Sequence, residues 1–234
     1  DLRLSGSISD LPAIFHHQQK PVELKLAIHS NKLSLAELLA HDTALANSQS
    51  EVFTGLEGHM HFSTTVEDLL EGDPLPRGEF FIDDLSVKAK HYPHWLHDVH
   101  VDIFITDTTL RIADLTGTVD KSDLHFNGYV ENYDLWFNAV KQGETHVAID
   151  FRSGQLILHD LLTYQGENHL PKEYRDEVLR DARFHADADL RFENNAFRFA
   201  DLRVAMLTGL MKVHPLKLED FHGHLHVEND VLTL

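Results

Sequence analysis

Val99, Val101, Ile103 and Ile105 alternate with His100, Asp102 and Phe104, and the alternation resumes after Asp107-Thr108 at Leu110 and Ile112. A period of two marks a strand with one buried face. Two such strands joined by a tight turn form a hairpin in which Ile105 faces Leu110. The same five-residue spacing recurs. Ile28 and Leu33 flank Ser30-Asn31, Phe151 and Leu156 flank Ser153-Gly154, Phe192 and Phe197 flank Asn194-Asn195, and Val227 and Leu232 flank Asn229-Asp230. Asn, Asp and Gly accept the positive φ that hairpin turns require. Hairpins built repeatedly to one spacing predict a repetitive antiparallel sheet.

The chain also repeats at long range. Asp1-Leu2-Arg3-Leu4-Ser5-Gly6-Ser7-Ile8 matches Asp123-Leu124-His125-Phe126-Asn127-Gly128-Tyr129-Val130 at an offset of 123 − 1 = 122. Leu96-His97-Asp98-Val99-His100 matches Leu218-Glu219-Asp220-Phe221-His222 at the same offset, as Lys90 and Pro93 match Lys212 and Pro215. Leu33 falls on Leu156 and Phe80 on Phe197 once small insertions are allowed. Two tandem units are expected, 1–122 and 123–234, the second truncated and both in one continuous sheet. In each, the first strand leads to a short helical segment at one rim: Leu11, Ile14 and Phe15, then Tyr133, Trp136, Phe137 and Val140. Each unit also has a polar excursion with helical spacing. These are Glu37 to Ser50, with Leu38, Leu39 and Leu45, and Pro171 to Arg180, with Leu170, Tyr174 and Val178 on one face. The first unit runs a longer loop from Phe62 to Phe80 where the second has the Phe192–Phe197 hairpin. The fold expected is mainly β: an elongated, twisted antiparallel sheet curled into a groove, with short crossover helices.

The alternation assigns one set of residues to the inward face: Leu24, Leu26, Ile28, Leu33, Val101, Ile103, Ile105, Leu110, Ile112, Val147, Ile149, Phe151, Leu156, Phe192, Phe197, Leu225 and Val227. So continuous an apolar face has to be covered, either by a second sheet or by something apolar around which the sheet curls.

Charge narrows the partners. The 234 residues carry a formal net charge of −18, which argues against nucleic acid and anionic membrane surfaces as direct ligands. There is no cysteine, so neither a disulfide framework nor thiolate chemistry is available. No apolar run approaches the ~20 residues that span a bilayer, and no signal peptide is visible. Both ends fall in strand-like text, Asp1 to Leu4 and Val231 to Leu234, so the chain reads as a piece of a longer protein. No nucleophile elbow, phosphate loop, dinucleotide fingerprint or zinc-protease helix occurs, so no catalytic residues, cofactor or enzymatic activity are expected. The recurrent pairs Asp84-Leu85, Asp114-Leu115, Asp160-Leu161 and Asp201-Leu202 read as strand-end carboxylates that satisfy backbone donors where strands bend. Nineteen histidines stand out. His222, His224 and His226 alternate with Phe221, Leu225 and Val227, and His59 and His61 share one face, so they are expected on a solvated outer face rather than in a metal site.

These hairpins and Asp-Leu pairs, with the phrases Gly78-Glu79-Phe80-Phe81-Ile82-Asp83-Asp84-Leu85 and Leu124-His125-Phe126-Asn127-Gly128, resemble the AsmA-like family of Gram-negative bacteria, in the version seen in Bacteroidetes. The resemblance extends to TamB-like proteins and the bridge-like lipid transfer proteins. It implies a periplasmic β-groove anchored to the inner membrane by a segment outside this chain, and continued by the rest of the same polypeptide. It implies transport of phospholipids, by their acyl chains, between inner and outer membranes, and a role in outer-membrane homeostasis. The competing expectation is a closed β core that serves as a spacer or scaffold for outer-membrane protein assembly.

Overall fold

The computed structural model describes residues 2–12, 16, 20–34, 52–65, 67, 77–89, 92–137, 141–164, 167–168, 177–193, 196–213, 216–228 and 231–233. The first eight strands are β1 (Leu2–Ile8), β2 (Val22–Ser34), β3 (Val52–Thr64), β4 (Arg77–Ala89), β5 (Tyr92–Ile105), β6 (Thr109–Val119), β7 (Ser122–Glu131) and β8 (Gly143–Ile157). A small hairpin, β9 (Thr163–Tyr164) and β10 (Glu167–Asn168), follows, and then β11 (Val178–Glu193), β12 (Ala196–Val213), β13 (Leu216–Glu228) and β14 (Val231–Thr233). Among the described residues the short helices are α1 (Asp134–Phe137), between β7 and β8, and α2 (Leu158–Leu162), after β8. All strands except β9 and β10 form one antiparallel twelve-stranded sheet in chain order. It does not close into a barrel: β1 and β14 are its two edges. At ~4.8 Å per strand the sheet is roughly 50 Å across.

Residues paired across an antiparallel ladder share a face, so pairing can be followed from strand to strand. One row runs Gly6, Leu26, Met60, Phe80, Ile103, Ile112, Gly128, Ile149, Ala186, Val204, Leu225. Toward the α1 rim the next row runs Ile8, Leu24, Phe62, Gly78, Ile105, Leu110, Val130, Val147, Ala188, Leu202, Val227. Toward the α2 rim it runs Leu4, Ile28, Gly58, Ile82, Val101, Leu115, Phe126, Phe151, Phe184, Met206, Gly223. None of the three rows contains a polar side chain.

The ladders repeat. Leu4, Gly6 and Ile8 face Ile28, Leu26 and Leu24, as Phe126, Gly128 and Val130 face Phe151, Ile149 and Val147. The same rows put Ala186 at the level of Met60 and Leu225 at the level of Ile103. They also correct one sequence equivalence: Phe80 corresponds to Val204, not to Phe197. Beyond that level β11 and β12 continue to the Phe192–Phe197 pair, whereas β3 ends at Thr64 and β4 begins at Arg77.

Three expected hairpins are present, pairing Ile105 with Leu110, Phe192 with Phe197 and Val227 with Leu232. The other two are not hairpins. Ser30-Asn31 and Ser153-Gly154 lie inside β2 and β8, which stay extended. Their turn-forming residues mark a crease. Below His125–Arg152 the β7–β8 ladder stops, and side chains take over: the Asp123 carboxylate accepts from the amides of Gly154 and Gln155 (2.8 Å each), and Ser122 Oγ from that of Ile157 (2.9 Å). Similar irregularities cross the sheet as left-handed residues within strands: Gly55 (φ 65°), Asp98 (φ 53°), Asp181 (φ 51°) and Asp220 (φ 50°). Each uses one residue without advancing the alternation, so apolar spacing lengthens from two to three, as from Leu179 to Ala182. The crease in β8 has the same effect: both Phe151 and Leu156 join one cluster with Leu179, Ala182 and Phe184, although strict alternation would place them on opposite faces.

The Asp-Leu pairs obey the same logic and correct the strand-end reading. Asp84, Asp114 and Asp201 lie within β4, β6 and β12, at or beside register shifts, and Asp160 lies in α2. The excursion expected as a helix over 171–180 ends differently too, because Val178 and Arg180 belong to β11. Residues 169–176, the Glu37–Ser50 segment, most of the Phe62–Phe80 loop, and Ile14, Phe15 and Val140 lie outside the described residues.

Gly128 provides the sharpest test of the repeated register. A Cβ there would meet the Ala148 carbonyl oxygen and crowd the Ile149 backbone, just as one at Gly6 would meet the Lys25 carbonyl oxygen. At Gly154 the nearest atom would be Asp123 Oδ1 at 3.5 Å, an ordinary contact. Gly128→Ala should therefore lower the urea-unfolding free energy by about 1–3 kcal/mol, and Gly154→Ala should change it by less than about 0.5 kcal/mol.

Candidate functional site

Burial along the apolar face is uneven. Toward the α1 rim Val22, Leu24, Phe62, Ile105, Leu190 and Phe192 are all below a tenth exposed, and toward the α2 rim so are Val99, Val119, Leu156, Leu179 and Ala182. Between these bands the floor is only half-buried: Leu26, Met60, Phe80, Ile103, Ile112, Ile149, Val204 and Leu225 all retain solvent contact. Among the described residues no second sheet covers them. The result is an apolar trough open over its middle and closed at its rims.

Each rim has its own cap. At one, Trp136 of α1 meets Phe192 edge-on at 5.4 Å, and its Nε1 donates to Thr145 Oγ1 (3.2 Å). Tyr133, 4 % exposed, donates its hydroxyl to the Thr106 carbonyl at 3.2 Å, which ties the start of α1 to the β5–β6 turn. Burial, with Asp134 and Asp107 nearby, holds that phenol above its ordinary pKa. At the other rim Leu158 and Leu161 of α2 pack on Leu156, Leu179 and Ala182, and the Leu158 amide donates to the Glu177 carbonyl (3.1 Å). His159 then meets His94 edge-on at 5.5 Å, and β9 lies against β5. The segment after β8 thus reaches back past β7 and β6 along the α2 rim.

The predicted lining residues divide accordingly. Leu26, Ile28, Ile103, Leu110, Ile112, Val147, Ile149, Phe151, Leu225 and Val227 are half-buried on the trough face, and Leu24, Val101, Ile105, Leu156 and Phe192 are buried there. Phe197 pairs with Phe192 and so shares its face, but it is 53 % exposed at the end of its hairpin, against Phe192 and Phe199. Leu33 pairs with Phe53 in β2–β3, and its side chain lies outside the described residues. The sequence list missed Met60, Phe80, Ile82, Val204 and Met206, whose alternation was legible in β3, β4 and β12 but broken by the crease.

The opposite face is polar and laced with histidine–carboxylate pairs across strands: His59–Asp83 (2.9 Å), His61–Glu23 (3.0 Å), His185–Asp150 (3.0 Å) and His146 between Asp189 (2.8 Å) and Asp187 (3.4 Å). Among the described residues no group of three or more His, Asp or Glu is arranged to hold a metal ion, and no helix is long and apolar enough to cross a membrane. Comparison with family models, curated proteins and solved structures finds no match.

His146 offers a pH test of this outer face. The hydrogen bond it donates to the Asp189 carboxylate, helped by the charges of Asp187 and Asp189, raises its pKa above the ordinary histidine value against partial burial. A raised folded pKa stabilises fully below the unfolded value and loses that contribution as pH rises through the folded one. Between about pH 6 and pH 8.5 the melting temperature should fall by about 1–3 °C more in the wild type than in His146→Gln.

Proposed function

We propose that this chain is a segment of an AsmA-like periplasmic protein whose trough shelters the acyl chains of phospholipids moving between inner and outer membranes. The single observation that carries this reading is the row from Gly6 to Leu225: eleven strands, every residue apolar, on the face of a single open sheet, exposed at Gly6 and only half-buried in the other ten. A large contiguous apolar surface left uncovered by its own fold marks a binding surface. A trough open along its length takes extended chains while head groups stay in water, and burial at ~25 cal/mol per Å² makes such occupancy favourable. The polar, acidic outer face keeps the sheet solvated on its other side. Chain outside these residues supplies the membrane anchor and extends the trough, and no catalysis is involved.

The experiment is lipid extraction and mass spectrometry of the purified chain, wild type against Ile149→Asp. Ile105 and Phe192 are 8 % and 3 % exposed, so a charge there unfolds the rim whether or not lipid binds. Ile149 lies on the half-buried floor. Ile149→Asp should fold with a loss of about 1–2 kcal/mol and lose copurifying phospholipid. No lipid on the wild type, together with global unfolding of Ile149→Asp, would overturn the proposal in favour of a closed spacer.

A further inference from the structure

We propose that the polar face carries an anion site around Ala205 that binds a phosphate group. This goes beyond the trough reading, because it lies on the opposite face of the sheet. Ala205 is flanked across the ladder by His185 of β11 and His224 of β13. A small side chain among long ones leaves a shallow depression there, lined also by Arg183, Leu207 and His222. An adjoining depression shares His185, Ala205 and His224 and adds Arg203 and His226.

The cations of this patch crowd together across four neighbouring strands. Arg152 of β8 stands directly opposite Arg183 of β11, Arg152 is also opposite His125, and the row continues through Leu207 to His222. Like charges directly opposite cost stability. The chain has 38 acidic residues against 20 Lys and Arg, so partners are plentiful. Elsewhere on this face Arg191 pairs with Glu144, Arg203 with Asp201 and Lys217 with Glu219, whereas Arg111 and Lys25 make no ion pair among the described residues and Arg198 stands opposite Arg191. Among the described residues Arg152, Arg183, His222 and His224 make no ion pair, while Asp150, Asp201 and Asp187 are already engaged. His185 holds Asp150, Arg203 and His226 hold Asp201, and His146 holds Asp187. What remains is two guanidinium forks and imidazole donors lining a hollow whose one carboxylate, Asp150, is held by His185. That donor set fits a tetrahedral oxyanion, which accepts several charge-assisted hydrogen bonds at once. A lipid head group and free phosphate share this chemistry.

The test has two arms. Inorganic phosphate titrated into the chain at fixed pH and ionic strength should shift the ring-proton NMR resonances of His185, His222 and His224 saturably. The double variant Arg152→Gln/Arg183→Gln should weaken that response by about tenfold or more. Both arginines are exposed, so the variant should melt no lower than wild type, which verifies its fold. In the second arm the chain is cosedimented with vesicles of phosphatidylglycerol or of phosphatidylcholine. Phosphatidylglycerol-selective binding lost in the double variant identifies the head group as the source, and a phosphate response without it identifies the soluble ion. The proposal is overturned if neither arm responds, or if the responses survive the double substitution.

Discussion

A sheet one layer thick keeps its apolar residues together only if every ladder holds register. A slip of one residue would turn a strand's entire apolar set to the polar face. In this chain the requirement extends over eleven successive ladders, and the crease complicates it. A left-handed residue in one strand shifts the alternation, so its neighbours must shift at the same level or the rows would break. The β3–β4, β5–β6 and β6–β7 ladders do shift register, and the left-handed residues recur at equivalent places in the two repeats, Asp98 with Asp220 and Gly55 with Asp181. Carboxylates hold the irregular backbone where ladder bonds are lost, as Asp123 does for Gly154 and Gln155. Partial burial works most strongly against the Asp123 charge, but these two amide donors, with Asp123's own amide and the nearby His125, together hold the group below the ordinary carboxylate range.

Much of this was legible in the residues. Period-two alternation in 99–112 gives β5 and β6 with their pairing, and the 122-residue offset anticipates the matching β1–β2 and β7–β8 registers. The crease was not legible, because its chemistry is that of a turn. Ser30-Asn31 and Ser153-Gly154 carry the residues a hairpin uses, and only the partner strand shows that the chain continues straight. The Asp-Leu pairs mark sites of bending, but in sequence a bulge and a strand end look alike, since both need the same short carboxylate. The rim caps depend on contacts between residues far apart in sequence, such as Tyr133 with Thr106, for which no local pattern exists.

The two faces do different things with the same strands. On one, alternate residues make an apolar floor with buried margins. On the other, the intervening residues make a lattice of histidine–carboxylate pairs, with an excess of cationic groups gathered at Ala205. A spacer needs neither an uncovered apolar floor nor opposed arginines. Both features cost stability in the isolated chain, and both are explained if each face meets a ligand: acyl chains on one and a phosphate group on the other.

The most direct measurement of the central claim is site-specific photo-crosslinking to lipid. A photoactivatable amino acid would be placed at Ile112 on the trough floor or at its neighbour Arg111 on the polar face, in the chain expressed in a Gram-negative host. Phospholipid adducts at Ile112 and none at Arg111 are the predicted result. Adducts absent from Ile112, or equally abundant at both positions, would contradict the account.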